Sequence, residues 1–198
     1  MKKIITLLGF VVLFFSCEVA QQIMGTYNMT QCKYDYHSIS GLTLAGINLQ
    51  KVSSISSLDP ISAANLVAAF ASPGGSLPLN FTLNLNVSNP GLQPALLNGV
   101  AYILEIDGIE MTQGTLSEQV QVASGGKTVL PIRMAFDLKK VLSGKTMESI
   151  KNLAFNFAGI GNASSNVTVR LKPNLIIGGQ TFSAPNYIPV SFTLNKSS

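Results

Sequence analysis

The sequence predicts an all-β protein, an antiparallel sandwich with one or two short helices, and three observations carry that expectation. Apolar and polar residues alternate with period two through most of the chain beyond residue 30, the pattern of strands with one wet face. Gly-rich turns separate these runs at intervals of about 8–12 residues, the spacing of a sandwich. Charge is scarce: 11% of the 198 residues are charged and 46% are hydrophobic, so Ser, Thr, Asn and Gln must cover the surface. This composition excludes a disordered chain, which combines low hydrophobicity with high charge, and it excludes a coiled coil.

Lys2 and Lys3 open the chain and precede the apolar run Ile4 to Phe15. A short basic start and an apolar run of this length have the layout of a secretory signal peptide, too short to cross a bilayer core of about 30 Å. Ordinary cleavage after Ser16 or Ala20 would put bulky Phe14 or charged Glu18 where a small residue is required. Phe14-Phe15-Ser16-Cys17 instead resembles the lipobox of bacterial lipoproteins, with Phe15 standing where a small aliphatic residue is usual. The resemblance implies a signal peptide over 1–16, removed to leave Cys17 as the lipid attachment residue, carrying a diacylglyceryl thioether and a further acyl chain on its amine. Each buried methylene contributes about 0.8 kcal/mol, so several chains hold a protein stably to the bilayer. The expected partner is therefore a lipid bilayer through acylated Cys17, and the expected place is the bacterial cell envelope, at the outer membrane or a periplasmic face.

Without Lys2 and Lys3 the 13 basic residues become 11, against 9 acidic ones. They are scattered, with Lys139-Lys140 the adjacent basic pair of the remainder, so there is no clustered footprint for nucleic acid, and none is expected as a partner. If Cys17 carries lipid, Cys32 has no disulfide partner.

Residues 17–29 read as a tether, polar from about Glu18 to Asn28, and 30–198 as one sandwich domain. Thr30, Cys32, Tyr34 and Tyr36 alternate with Gln31, Lys33, Asp35 and His37, which predicts a strand with Cys32 half-buried on it. Asp59-Pro60 supplies an N-cap and a first helical residue for a helix over Ile61 to Phe70, stopped by Ser72-Pro73-Gly74-Gly75. From Leu77 to Val87 every odd position is apolar, a long strand with Pro78 at its start or on an edge. Val100 to Ile106 is the next strand, turned by Asp107-Gly108 into Ile109 to Met111. Strands follow over Leu116 to Val122 and Thr128 to Phe136, divided by Ser124-Gly125-Gly126. Asp137 caps a short helix over Leu138 to Ser143, ended by Gly144. Leu153 to Ala158, Val167 to Leu171, Leu175 to Ile177, Gln180 to Phe182 and Ile188 to Leu194 complete the strands, with Gly178-Gly179 as a tight turn.

The series Asn84-Leu85-Asn86-Val87-Ser88-Asn89-Pro90, then Val100 to Gly108, Gly114, Thr128-Val129-Leu130-Pro131-Ile132, the helix near Asp137, and Ile188-Pro189-Val190 resembles the late embryogenesis abundant type 2 family, also called the water stress and hypersensitive response domain. The likeness covers 77–198 and leaves 30–76 as an N-terminal extension. It implies an immunoglobulin-like antiparallel β-sandwich and a non-enzymatic role, and it brings no catalytic residues. The resulting expectation is an anchored envelope module that protects or that binds a protein, glycan or lipid partner through its sheet faces or loops; the alternative is a carrier holding an apolar ligand such as a lipid between its sheets. Solid packing or a slot of several hundred cubic ångströms between the sheets separates the two.

Chemistry-bearing residues are few. His37 is the single His and is expected to face solvent; with Cys32 it makes a poor zinc pair, because the two point to opposite faces of a strand. Glu105, Asp107 and Glu110 surround one hairpin and have Ca²⁺-ligand character, though a solvated turn accounts for them. Gly126-Lys127-Thr128 ends like a phosphate loop, but Gln121 stands where that loop needs glycine. Asn-x-Ser/Thr triplets at Asn28, Asn80, Asn86, Asn162, Asn166 and Asn195 read as polar strand faces. No catalytic residue, cofactor or metal is expected.

Overall fold

The computed structural model describes residues 23–50, 52–177 and 180–195. Two antiparallel sheets face each other. The first is ordered β2-β1-β3-β8, from β1 (Lys33–Leu44), β2 (Ile47–Asn48), β3 (Pro78–Ser88) and β8 (Lys127–Asp137). The second holds β5 (Val100–Ile106), β6 (Ile109–Leu116) and β9 (Ser165–Ile177); the free edge of β9 is taken by β11 (Ile188–Leu194) along its first half and by β10 (Gln180–Ser183) along its second. A small ribbon of β4 (Ala95–Leu97) and β7 (Val120–Val122) closes one end.

Alternation in β3 puts Leu79, Phe81, Leu83, Leu85 and Val87 inward. They meet Leu130 and Ile132 of β8 and, from the opposing sheet, Leu104, Ile106, Val167, Val169 and Leu171, in one continuous buried cluster. Each such side chain contributes about 1.5–3 kcal/mol by leaving water. On the outer face Asn84 donates to the hydroxyls of Ser38 (3.2 Å) and Ser40 (3.0 Å), and Asn80 to Thr43 (3.3 Å), so Asn on this face serves cross-strand pairing. Pro78 is the first residue of β3, as a residue without an N–H requires. The extension 30–76 joins the sandwich, since β1 lies between β2 and β3.

Helical content exceeds the expected one or two short helices. Residues 23–30 are helical (α1). α2 (Pro60–Ala71) starts as the sequence predicts, with the Asp59 carboxylate accepting from the Ile61 and Ser62 amides at 3.1 and 2.9 Å. α3 (Leu138–Val141) is capped by Asp137, which accepts from the Lys139 amide at 2.9 Å.

Three local expectations need correction. Leu153 to Ala158 is not a strand but the end of α4 (Met147–Phe157), capped by Thr146; Ile150, Leu153, Ala154 and Phe157 recur at helical spacing and are buried. The period-two pattern read there is too short to tell a strand from a buried helix turn. The stretch Leu116 to Val122 divides between the end of β6 and β7. The tether reading fails over 23–29, because α1 packs on the domain with Met29 fully buried and Gly25 against Leu96. Cys32 accordingly lies in the bend between α1 and β1, buried, its thiol donating to the Asn28 carbonyl at 3.5 Å.

Candidate functional site

Cys17 lies outside the described residues. Among the described residues no three His, Cys, Asp or Glu side chains gather to hold a metal. The acidic hairpin shows why. Asp107 is tied to β9 in both directions, its carboxylate accepting from the Asn166 amide and its own amide donating to the Asn166 carbonyl, each at 2.8 Å. Glu105 pairs with Arg170, and a Glu110 oxygen lies 3.9 Å from the same guanidinium. These carboxylates already have partners that compete with a cation. His37 is exposed at a bulge of β1, where the register skips it between Tyr36 and Ser38. Burial pushes the Cys32 thiol above its ordinary value and disfavours the nucleophilic thiolate. Burial also raises the Tyr34 hydroxyl, which donates to the Met29 carbonyl at 2.8 Å.

Asn89 of the Asn-Pro pair is a structural corner. It is 3% exposed, and its amide nitrogen reaches the carbonyls of Gln93 (2.8 Å), Val122 (3.2 Å) and Ala123 (3.2 Å), while its oxygen accepts from the Gly91 amide at 2.9 Å. The Asn89 backbone amide donates to the Gly126 carbonyl at 3.0 Å, which holds the turn at 124–126 against the end of β3. Pro90 then ends the ladder, having no N–H to donate.

Among the described residues, the two apolar cavities lie outside the buried cluster between the sheets. One of about 500 Å³ lies between α2 and α4, lined by Leu66, Val67, Phe70, Met147, Lys151 and Phe155. The Phe70 and Phe155 rings meet edge-on at 5.7 Å across its floor. A second, also about 500 Å³, lies between α1 and the segment leading from β10 to β11, lined by Ile23, Tyr27, Phe182, Ala184, Pro185 and Ile188 among others. Neither is the slot between the sheets expected of a carrier. Sequence reasoning missed both surfaces, although Ile23, Tyr27 and Thr30 stand at helical spacing and carried a usable signal.

No family model matches the chain, and no curated protein matches it by sequence. Similar solved structures include a protein from Archaeoglobus fulgidus, 16% identical with a TM-score of 0.36, covering 61% of this chain and 87% of that one. Another, from Arabidopsis thaliana, is 12% identical with a TM-score of 0.39 over 59% of this chain and 70% of that one. A third, described as a late embryogenesis abundant protein, is 10% identical with a TM-score of 0.38 over 98% of this chain and 89% of that one.

Proposed function

We propose that the protein is a membrane-anchored bacterial lipoprotein whose late-embryogenesis-abundant-type-2-like sandwich acts without catalysis, as a binding or stress-protective module of the cell envelope. The observation that carries this reading is the succession of Lys2-Lys3, the apolar run Ile4 to Phe15 and the Phe14-Phe15-Ser16-Cys17 lipobox. The chemistry of the domain supports a non-catalytic role. Its acidic hairpin is spent on Arg170 and on backbone pairing, its buried thiol is held protonated, and its one His stands at an exposed bulge.

Replacing Cys17 by Ser tests the anchor. Labelled palmitate enters the parent protein and none enters Cys17→Ser, and the amino-terminal peptide of the parent carries the acyl mass. Equal palmitate incorporation into both proteins overturns the reading.

A further inference from the structure

We propose that the end of the sandwich formed by α1 and the β10–β11 segment is a bilayer-docking surface that lays the domain against anionic lipid headgroups. The proposal rests on the anchoring read above and goes beyond it by assigning residues of the folded domain to the membrane. Three observations converge on this end.

The first is reach. Cys17 precedes Ile23 by six residues, and a chain extends by at most about 3.3–3.6 Å per residue, so the start of α1 stays within about 20 Å of an acylated Cys17. The second is exposed apolar surface. Ile23 is 47% exposed, Tyr27 59% and Phe182 53%, and Met24 and Tyr187 are exposed as well. Ile23 and Tyr27 lie one helical turn apart and border the same cavity as Phe182, while Met29 on another face of α1 is buried in the domain. A short helix with one face packed and another presenting Ile and Tyr suits the boundary between headgroups and acyl chains.

The third is charge. Antiparallel register brings Lys33 of β1 and Lys127 of β8 to either side of Ser88, the last residue of β3, at the end from which α1 enters the sheet. Both lysines are exposed. In the other sheet the Lys172 ammonium sits 5.2 Å from the ring centre of Tyr187. Asp35 follows Lys33 on β1, and Glu118, just past the end of β6 that pairs with Val100, is matched by Arg133, so Lys33, Lys127 and Lys172 leave these groups with net positive charge, as contact with anionic headgroups requires. The groove between α2 and α4 belongs to the opposite end: Lys139, two residues beyond Asp137, donates to the Ala69 and Ser72 carbonyls at the end of α2, and Asp137 pairs with Pro78, ten residues or about 33 Å along β3 from Ser88.

The chain contains no Trp, so a single introduced indole reports its own surroundings. Tyr27→Trp and, at the far end, Met147→Trp each alter an exposed side chain. Each full-length protein is purified after expression in a lipoprotein-processing bacterium, its amino-terminal mass is recorded, and it is added to phosphatidylethanolamine–phosphatidylglycerol vesicles with brominated acyl chains. Docking buries the apolar face by about 5–10 Å, so emission from position 27 falls about twofold while position 147 is unchanged. Added salt weakens the quenching, because the lysine attraction is screened.

In acylated protein, equal emission at the two positions overturns docking while anchoring stands. Quenching at position 27 alone in protein that lacks the acyl mass supports docking and removes the anchor. Unquenched, unacylated protein overturns both. Association of two copies through this face, seen as a dimer by sedimentation with position 27 unquenched, also overturns docking.

Discussion

Replacing Asn89 by Ala removes a side chain that organises three chain segments at once. In the parent its amide hydrogens are shared among the Gln93, Val122 and Ala123 carbonyls and its oxygen holds the Gly91 amide. Two hydrogens serve three acceptors, so the network is equivalent to about three full bonds at about 1 kcal/mol each, giving a loss of about 3 kcal/mol. For a domain of this size each kcal/mol moves the melting temperature by about 2–4 °C, so Asn89→Ala melts about 6–12 °C lower. Circular dichroism of parent and variant under identical conditions reads the shift, and urea unfolding checks it as a midpoint lowered by about 1–1.5 M at a slope of 2–3 kcal/mol per M. Asn89→Asp is the sharper companion. It keeps the acceptor for Gly91 but turns a carboxylate oxygen towards three carbonyls, which raises the pKa of that carboxyl on folding. Its stability therefore falls as pH rises through that raised pKa and recovers as acid supplies the missing donor. A melting shift under about 2 °C for Asn89→Ala, well short of the 3 kcal/mol worked above, refutes the claim that this side chain holds the corner.

Two further outcomes follow from the same geometry. Leu85 is fully buried at the middle of β3 between Tyr36 and Leu130, so Leu85→Ala costs about 2–5 kcal/mol in urea unfolding, and a loss under about 1 kcal/mol argues for empty space between the sheets. Burial pushes the Asp137 carboxyl up, but hydrogen bonds from Ser76 and from the Leu77, Lys139 and Lys140 amides outweigh it and hold the group below its ordinary value. A depressed folded pKa contributes stability above the unfolded value of about 3.9 and loses it as pH falls through the folded one. Asp137→Asn is therefore less stable than the parent at pH 7, and the gap closes below about pH 4. A gap that is constant with pH contradicts the assignment.

The strands with long alternation were legible because a wet face and a dry face leave a period of two that no other element shares. Strands form where the sequence places them at 100–106, 128–136 and 188–194, and the strand expected over 77–87 begins one residue later at Pro78; Asp107-Gly108 turns its hairpin with both residues at positive φ. Capping chemistry was equally local, and Asp59 and Asp137 cap the helices assigned to them. Reading failed where the evidence in the sequence is short or mixed. Residues 153–158 offer six positions, too few to separate a strand from a buried helical turn, and α1 carries only the short helical spacing of Ile23, Tyr27 and Thr30 among polar neighbours.

Residue order alone determined the class of fold, its all-β alternation and its cap positions, since each depends on neighbours within a few positions along the chain. The lipobox-like pattern ending at Cys17 is also local, and the acylation proposed for it rests on the sequence alone. Only the tertiary structure decided that 30–76 supplies a strand inside the sheet, that the acidic hairpin is spent on Arg170 and the start of β9, and that α1 and the β10–β11 segment share one exposed apolar end. Those facts join residues such as Glu105 and Arg170, or Tyr27 and Phe182, that are far apart in the chain. Their proximity follows from strand register and packing summed over the whole core, which no short window of sequence contains.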